Sequence, residues 1–353
     1  MGPMTSRERV YRVLAGELPD RVPVLLQNFQ NTAQLAGLPL NQFCQDSSLM
    51  AEAQIAAWER FRYDVLDIEN GTTAMAGALG CEVDYPEDQP PRLVSSAIDC
   101  LEDVGKLEPV DPTRDGTLPQ LLRTTRLVAE GLNGQACIVG EADQGPFDLA
   151  AMLVGMEKFL LAVIDPDQSE QVHNLLEFCS EQVKRLALAQ IDAGADFTEI
   201  GEPFAGPDLC APKIYREFAF PYEKQLVEVL KGHGVPLIIH MCGDSTRIMS
   251  DMADTGAPIL EVDSKIDAVR CSQLTQGRSV LVGNVDTTLL ARGRPDQVVE
   301  AARQAIRDMG QHGWFILSPG CTIGATTPFE STEALMEAAD RFGRYDDNGL
   351  IVD

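Results

Sequence analysis

The chain has 353 residues and a mass of 38.4 kDa, with 54 acidic residues against 28 basic ones and a formal net charge of −26. A surface this acidic repels phosphate backbones and anionic lipids, which excludes nucleic acid and membranes as predicted partners. No apolar run approaches the roughly 20 residues that span a bilayer, and the nine cysteines lack the close pairing of a disulfide framework.

The first segment of the chain predicts a short helix. Thr5 followed by Glu8 is the pattern of a capping box, and the helix that it begins ends near residue 14. The first twenty residues are charged and lack the apolar core of a signal peptide, which predicts a cytoplasmic protein.

Apolar strands then alternate with helices along the chain. The predicted strands lie at 22–27, 63–70, 136–141, 196–200, 235–240, 258–262, 279–282 and 315–317. The predicted helices lie at 47–61, 117–132, 147–153, 156–164, 166–193, 212–231, 245–255, 268–275, 295–309 and 331–342. Residues 77–117 are irregular and rich in proline, with one strand-like piece at 91–95, and we expect them to form an insertion at one mouth of the fold.

This alternation predicts the fold. Continuous apolar strands separated by helices indicate a parallel sheet covered by helices, and eight such units in a chain of this length favour a closed (β/α)8 TIM barrel. The prediction is therefore one α/β barrel domain over 1–353 with an N-terminal helical extension. An open, doubly wound sheet is the alternative, but the chain contains no Gly-x-Gly-x-x-Gly or Walker loop.

Polar residues follow the predicted strands at the ends where the active site of a barrel lies. They are Asp67, Glu69, Glu141, Asp143, Glu199, Glu202, His240, Cys242, Asp263, Asn284, Asp286 and Cys321. Buried carboxylates are costly without partners, so the whole ring predicts a site. Each member taken alone fits a helix cap or a loop brace equally well.

Two of these strand ends carry possible metal ligands. The apolar run 235–239 ends in His240-Met241-Cys242, and alternate residues of an extended chain point the same way. The apolar run 314–317 stops at a Pro-Gly turn and then presents Cys321. Two thiolates and one imidazole are the ligands of a zinc site with an open fourth position, but spacing alone does not prove that the two segments meet.

Four segments carry a resemblance to a known family. They are His240-Met241-Cys242-Gly243-Asp244-Ser245-Thr246, Glu261-Val262-Asp263, Gly283-Asn284-Val285-Asp286 and Pro319-Gly320-Cys321. In this order and spacing they resemble the uroporphyrinogen decarboxylase superfamily, and more closely its zinc-dependent methylcobamide:coenzyme M methyltransferases. The opening segment 7–23 also looks like the N-terminus of that family.

The resemblance implies a function and a ligand set. His240, Cys242 and Cys321 would bind Zn²⁺, and a methyl group would pass between a methylated corrinoid and a small thiol such as coenzyme M. The chain has no corrinoid-binding Asp-x-His-x-x-Gly segment, so a separate small corrinoid protein would supply the cobamide. Glu202 and Asp67 are candidates for the fourth zinc position before the thiol binds.

Substrate contacts are predicted at Asp67, Glu202, Asn284 and Asp286. Two alternative functions stay open. In the first, the protein demethylates a methoxylated or methylated substrate and loads cobalt(I). In the second it is decarboxylase-like and binds no metal, but residues 27–34 contain no Arg where the decarboxylases carry an Arg-rich segment, which disfavours a substrate with many carboxylates.

Overall fold

The computed structural model describes residues 4–346 and 348–352. Its strands are β1 (Leu25–Leu26), β2 (Val65–Ile68), β3 (Glu82–Asp84), β4 (Arg92–Ser95), β5 (Cys137–Gln144), β6 (Phe197–Gly201), β7 (Leu237–Met241), β8 (Ile259–Val262), β9 (Val280–Val285) and β10 (Phe315–Pro319). β3 and β4 form a separate antiparallel hairpin within the predicted insertion. The other eight strands form one parallel sheet in the order β1-β2-β5-β6-β7-β8-β9-β10.

The sheet curves into a nearly closed barrel. A parallel bridge joins Val24 to Leu317, and the Leu317 amide donates a hydrogen bond to the Pro23 carbonyl at 2.9 Å. The first and last strands are therefore neighbours, which confirms the predicted (β/α)8 barrel. Because β1 has only two residues, this seam contains a shorter hydrogen-bonded ladder than the junctions between the longer strands.

The helices largely follow the predicted positions. They are α1 (Ser6–Leu14), α2 (Phe29–Leu35), α3 (Leu40–Gln45), α4 (Ser47–Phe61), α5 (Ala74–Ala78), α6 (Leu118–Leu132), α7 (Pro146–Val154), α8 (Met156–Ala162), α9 (Ser169–Asp192), α10 (Pro212–Ile214), α11 (Phe220–Gly232), α12 (Met249–Asp254), α13 (Ala268–Thr275), α14 (Thr287–Arg292), α15 (Pro295–Met309) and α16 (Phe329–Phe342). The predicted capping box of α1 is present, with Thr5 and Glu8 each accepting from the other's backbone amide. Among the described helices, none is both long and apolar enough to traverse a bilayer.

Side chains alternate between two layers along every barrel strand. The inward residues form an apolar core made of Leu25, Val65, Cys137, Val139, Phe197, Ile238, Ile259, Val280, Val282 and Ile316. Val10 and Val13 of α1 belong to the same cluster, so α1 closes the N-terminal end of the barrel. Because the side-chain period of a strand is two, the next inward positions toward the C-terminal end are two residues further on, and these are the polar ones.

Two predicted helices are interrupted in the structure. The pattern at 212–231 predicts a continuous helix, but a π-helical segment at Tyr215–Ala219 separates α10 from α11. The cause lies at Pro221, since proline has no amide hydrogen for the helical ladder and its ring crowds the preceding turn. The predicted helix 245–255 is likewise divided at Ile248 into a 3₁₀ turn, Ser245–Arg247, and α12.

Four short helices were missed by the sequence analysis: α2, α3, α5 and α14. The first two follow β1 in an amide-rich segment with a weak apolar pattern. Their apolar residues Phe29, Leu40 and Phe43 pack against Met50 of α4 in a second small core. Packing on α4 therefore stabilises helices that intrinsic propensity does not predict.

A buried ion network lies at the N-terminal end of the barrel. Asp64, just before β2, is fully buried and accepts from Arg9 Nη1 at 2.6 Å, Arg21 Nη1 at 2.8 Å and the Val24 amide at 2.8 Å. Arg21 also contacts Asp340 of α16 at 2.9 Å. One carboxylate thus ties α1, β1 and β2 together, and Arg21 extends the connection to the last helix.

Candidate active site

Three side chains meet at the C-terminal end of the barrel. His240 lies in β7, Cys242 follows that strand, and Cys321 lies just beyond β10. The His240 Nε2 atom is 3.0 Å from Cys242 Sγ, and the Sγ atoms of Cys242 and Cys321 are 3.6 Å apart. The structure therefore brings together the three residues predicted as metal ligands, which we call the ligand triad.

Two glycines allow the loops of the triad to adopt this geometry. Gly243 has a φ of +81°, a backbone conformation that favours glycine, and its amide donates to Asp263 Oδ2 at 2.8 Å. A Cβ atom on Gly320 would lie 2.8 Å from the Ser264 nitrogen, so a larger residue would separate the loops after β8 and β10. These contacts hold both cysteine loops against the end of β8.

The ligand triad fits a zinc ion. Its three donor atoms all lie within 4.8 Å of one another, and two sulfurs with one imidazole nitrogen form the donor set of a zinc site with one open position. The adjacent Cys242 thiol and burial raise the pKa of Cys321, so a bound cation is what would favour its thiolate form. The other seven cysteines belong to no ligand group in residues 4–346 and 348–352.

Glu261 of β8 supports His240 from the side opposite Cys242. His240 Nδ1 lies 3.0 Å from Glu261 Oε2, and both side chains are buried. A carboxylate at this nitrogen orients an imidazole so that its other nitrogen faces the metal position. Burial lowers the pKa of His240, but the contacts with Cys321 and Glu261 outweigh burial and raise it well above its usual range.

Glu261 is not among the predicted site residues, although it lies in one of the segments that carry the family resemblance. The signal was available in the strand alternation. His240 and Glu261 are register partners on adjacent parallel strands, and Ile238 and Ile259, two residues earlier on each strand, both point into the barrel core. An inward glutamate beside an inward histidine follows from that register.

An amide from the first strand links two carboxylates of this region. Gln27 Nε2 donates to Glu199 Oε1 at 2.9 Å and also to Glu261 Oε2. Ser318 Oγ lies 3.5 Å from Glu261 Oε1. Glu199, His240 and Glu261 form a second group whose candidate ligand atoms lie within 4.8 Å of one another.

Three more carboxyl groups lie on the neighbouring strands. Oxygens of Asp67, Glu69 and Glu141 come within 4.8 Å of one another, and all three side chains are buried. Burial raises the pKa of Glu69 to about 7, although hydrogen bonds with Glu141 and Thr322 lower it. Burial and the neighbouring carboxylates raise the pKa values of Asp67 and Glu141 well above their usual range. Burial also raises the pKa of Glu199. Thr322 Oγ1, next to Cys321, donates to Glu69 Oε1 at 3.2 Å.

A cavity of about 270 Å³ opens above these groups. Its lining comprises Gln27, Phe29, Gln30, Glu69, Gly71, Thr72, Pro90, Glu141, Gln144, Glu199, Gly201, Pro203, His240, Cys242, Cys321 and Thr322. No lysine or arginine is among these lining residues of the described chain. Three carboxyl side chains do line it, those of Glu69, Glu141 and Glu199, and we call them the acid wall.

Glu202 lies away from the ligand triad. Its carboxylate accepts from the backbone amides of Phe147 at 3.2 Å and Asp148 at 3.0 Å, which are the first free amides of α7. It is fully buried and belongs to none of the candidate ligand groups found in the described residues. The geometry thus gives Glu202 the role of a helix cap and does not support the expected place on zinc.

The remaining predicted substrate contacts also lie outside the cavity lining. Asp286 is exposed and caps α14 by accepting from the Thr288 amide at 2.7 Å. Asn284 is half-buried, and its amide nitrogen lies 3.4 Å from the Asp263 carbonyl oxygen. Asp67 lies closer to the cavity, because one of its oxygens is within 4.8 Å of oxygens of Glu69 and Glu141, which line it.

Comparisons with known proteins find relatives that match nearly the whole chain. The family model described as uroporphyrinogen decarboxylase (URO-D) matches residues 5–342. The methylcobamide:CoM methyltransferase MtbA of Methanosarcina acetivorans is 28% identical over 96% of this chain and 98% of its own length. The methylcobamide:CoM methyltransferase MtaA of Methanosarcina barkeri is 29% identical over 97% and 99%. The solved structure of a methyltransferase from Methanosarcina mazei superposes with a TM-score of 0.87 at 27% identity, covering 96% of this chain and 98% of that one.

Proposed function

The chain belongs to the uroporphyrinogen decarboxylase family, and from that premise we propose that it is a zinc-dependent methyltransferase acting between a methylated corrinoid protein and a small thiol. The observation that carries the proposal is the meeting of His240 and Cys242 with Cys321, which is 79 residues further along the chain than Cys242. Relatives that match nearly the whole chain are named methylcobamide:CoM methyltransferases.

The triad and its support define what the chain contributes to this reaction. A zinc ion bound by the triad would hold the substrate sulfur at its open position and stabilise the thiolate. Glu261 keeps the His240 ring turned toward the cysteines, and Gln27 holds Glu261 in place. In the transfer, a bond forms between sulfur and the methyl carbon, the cobalt–carbon bond breaks, and its electron pair stays on cobalt.

The cavity suits a small substrate. Its volume of about 270 Å³ lies below the usual range for drug-sized ligands, roughly 300–1,000 Å³. A thiol fits inside, whereas a corrinoid would meet it at the mouth of the barrel, carried by a partner protein. The net charge of −26 suits a partner with a basic docking face.

The same lining argues against decarboxylation of a porphyrinogen. Such a substrate carries many carboxylates, and recognition of carboxylates favours arginine and lysine. Gln27 and Gln30 line the cavity in the segment where the decarboxylases carry arginines, and the acid wall would repel carboxylates. A metal-free decarboxylase would also give the ligand triad no function.

The test uses Cys242→Ala and Cys321→Ala, with Cys271→Ala as the control. Cys271 is buried and lies outside the triad. Elemental analysis should find zinc in the wild type and the control but not in the two triad variants. Methyl transfer from free methylcobalamin to small thiols should fall at least about 100-fold in the triad variants, because thiolate stabilisation by a metal is worth several kcal/mol.

Two outcomes would contradict the proposal. Retention of zinc and of transfer in Cys321→Ala would remove the triad from the chemistry. Absence of transfer to every thiol, combined with methylation of cob(I)alamin by methoxylated or methylated compounds, would favour the demethylating alternative.

A further inference from the structure

We propose that the small molecule bound in the cavity carries a protonated amine, which the acid wall of Glu69, Glu141 and Glu199 binds. This inference rests on the proposed function and refines it, since it gives the acceptor the chemistry of an aminothiol. Coenzyme M, the acceptor that the names of the relatives give, carries a sulfonate instead. The inference therefore separates this chain from the substrate of its named relatives.

Buried oxygen atoms at the cavity lack hydrogen-bond donors. Glu199 and Gln27 both line the cavity, and both are at least 95% buried. Glu199 Oε2 and Gln27 Oε1 have no hydrogen-bond partner in the described structure. Asp67 Oδ1, behind the wall, also lacks a partner. Buried polar atoms are normally paired. The Gln27 oxygen is an acceptor, and the Glu199 and Asp67 oxygens are acceptors when their carboxyl groups are ionised. An ammonium group offers three donors and no acceptor, which matches the two unpaired oxygens of Glu199 and Gln27 in the cavity lining.

The charge of the cavity also favours an amine over a sulfonate. The lining contains three carboxyl groups and neither lysine nor arginine in the part of the chain that the structure describes. The two triad thiolates would offset a divalent cation, so a bound substrate thiolate adds one negative charge to the site. A sulfonate would add a second beside the acid wall, whereas an ammonium would partly neutralise the wall. A cation also removes the penalty that keeps buried carboxyl groups protonated.

The distance between the acid wall and the ligand triad suits a short aminothiol. A carboxylate oxygen of Glu199 lies within 4.8 Å of a ring nitrogen of His240. The acid wall and the ligand triad therefore share one small cavity, and a chain of two carbons joined by bonds of about 1.5 Å reaches from sulfur at the triad to an amine at the wall. Thr322 links the two groups as well, because it follows Cys321 and donates to Glu69.

The experiment compares three thiols of the form HS–CH₂–CH₂–X, which differ only in charge. They are cysteamine with an ammonium, 2-mercaptoethanol with a hydroxyl, and coenzyme M with a sulfonate. The zinc-loaded protein receives free methylcobalamin, and kcat/KM is measured for each thiol. We expect cysteamine to exceed coenzyme M by at least about tenfold, the effect of one charge-assisted hydrogen bond.

Binding without turnover gives a second readout. The methylated products of cysteamine and coenzyme M are titrated into zinc-free protein by calorimetry, where the metal plays no part. We expect the amine to bind at least about tenfold more tightly than the sulfonate. Glu141→Gln should reduce that ratio about tenfold, and Glu199→Gln serves as a second variant of the wall. Glu130→Gln, on an exposed position of α6, is the control and should leave the ratio unchanged.

The outcomes separate this inference from the proposed function. Faster transfer to coenzyme M than to cysteamine, with tighter binding of the sulfonate product, overturns the inference and leaves the methyltransferase intact. Failure of every thiol to accept a methyl group overturns the proposed function, and the calorimetric ratio then still decides whether the acid wall binds amines. An amine preference that persists in both wall variants overturns the assignment to these carboxylates.

Discussion

At the scale of single residues, the candidate metal centre depends on the orientation of one imidazole. Glu261 lies 3.0 Å from His240 Nδ1 and leaves Nε2 facing the cysteines. We expect Glu261→Gln to lower the zinc affinity about 10- to 100-fold, the usual effect of removing a carboxylate behind a histidine ligand. Competition with a chromogenic chelator measures the change, and Glu59→Gln on the exposed side of α4 should bind zinc like the wild type. Equal affinities in both variants would show that Glu261 does not orient the ligand.

The Glu69 carboxyl group is a second single residue to test, because it makes the stability of the folded protein depend on pH. Its pKa is raised from 4.5 to about 7, chiefly by burial. Between these values the folded protein keeps a proton that the unfolded chain has released, so the folded state loses stability as the pH rises through this window. The shift corresponds to a loss on the order of 3 kcal/mol that is complete above pH 7.

Glu69→Gln removes this titration. We therefore expect the free energy of unfolding of the variant minus that of the wild type to be larger at pH 8 than at pH 5 by an amount of that order. Urea denaturation at the two pH values measures the difference. The exposed Glu130→Gln should change little between them, and a Glu69→Gln difference that is independent of pH would show that the carboxyl group is not perturbed in the folded protein.

At the scale of secondary structure, a variant of Glu202 distinguishes a helix cap from a zinc ligand. Its carboxylate accepts from two backbone amides at the start of α7 and lies outside the ligand triad. We expect Glu202→Ala to lower the free energy of unfolding by about 1–3 kcal/mol, because buried amides lose their acceptor. Zinc content should stay at the wild-type level. A loss of zinc without a loss of stability would restore Glu202 as a metal ligand.

At the scale of the whole molecule, an ion network supports the closure of the barrel in addition to the short hydrogen-bonded ladder between β1 and β10. Asp64 accepts from Arg9 and Arg21, and Arg21 reaches Asp340 of the last helix across the seam between β1 and β10. We expect Asp64→Asn to lower the free energy of unfolding by about 3 kcal/mol, since it leaves buried guanidinium groups with less negative charge. The urea transition should remain a single step, because the seam is part of the one barrel.

A matched control is available on the surface. Asp84 pairs with Arg92 at 2.8 Å in the exposed β3–β4 hairpin. Asp84→Asn should cost less than about 1 kcal/mol, as exposed ion pairs usually do. Equal losses in the two variants would mean that burial of the Asp64 network does not contribute to closure.

The sequence predicted the elements whose local signals are strong and missed those that depend on distant contacts. The apolar runs and the capping box of α1 are local features, and the structure has α1 and α4 close to their predicted bounds. The prediction of one continuous helix over 212–231 was wrong, although Pro221 is a local signal for its interruption. Helices α2 and α3 form because α4 provides an apolar surface for them, which no local pattern records.

For the site, the sequence by itself determined the chemistry of the ligands and their positions at strand ends. The alternation of apolar and polar residues fixes which side chains point into a barrel, because the strand period is two. Only the tertiary structure decided which of those strand ends adjoin one another. The register of β7 with β8 places Glu261 beside His240, and the closure of the sheet carries β10 and Cys321 around to Cys242. The tertiary structure also decided that Glu202 and Asp286 cap helices. A residue just past a strand lies next to the free amides of the helix that begins there.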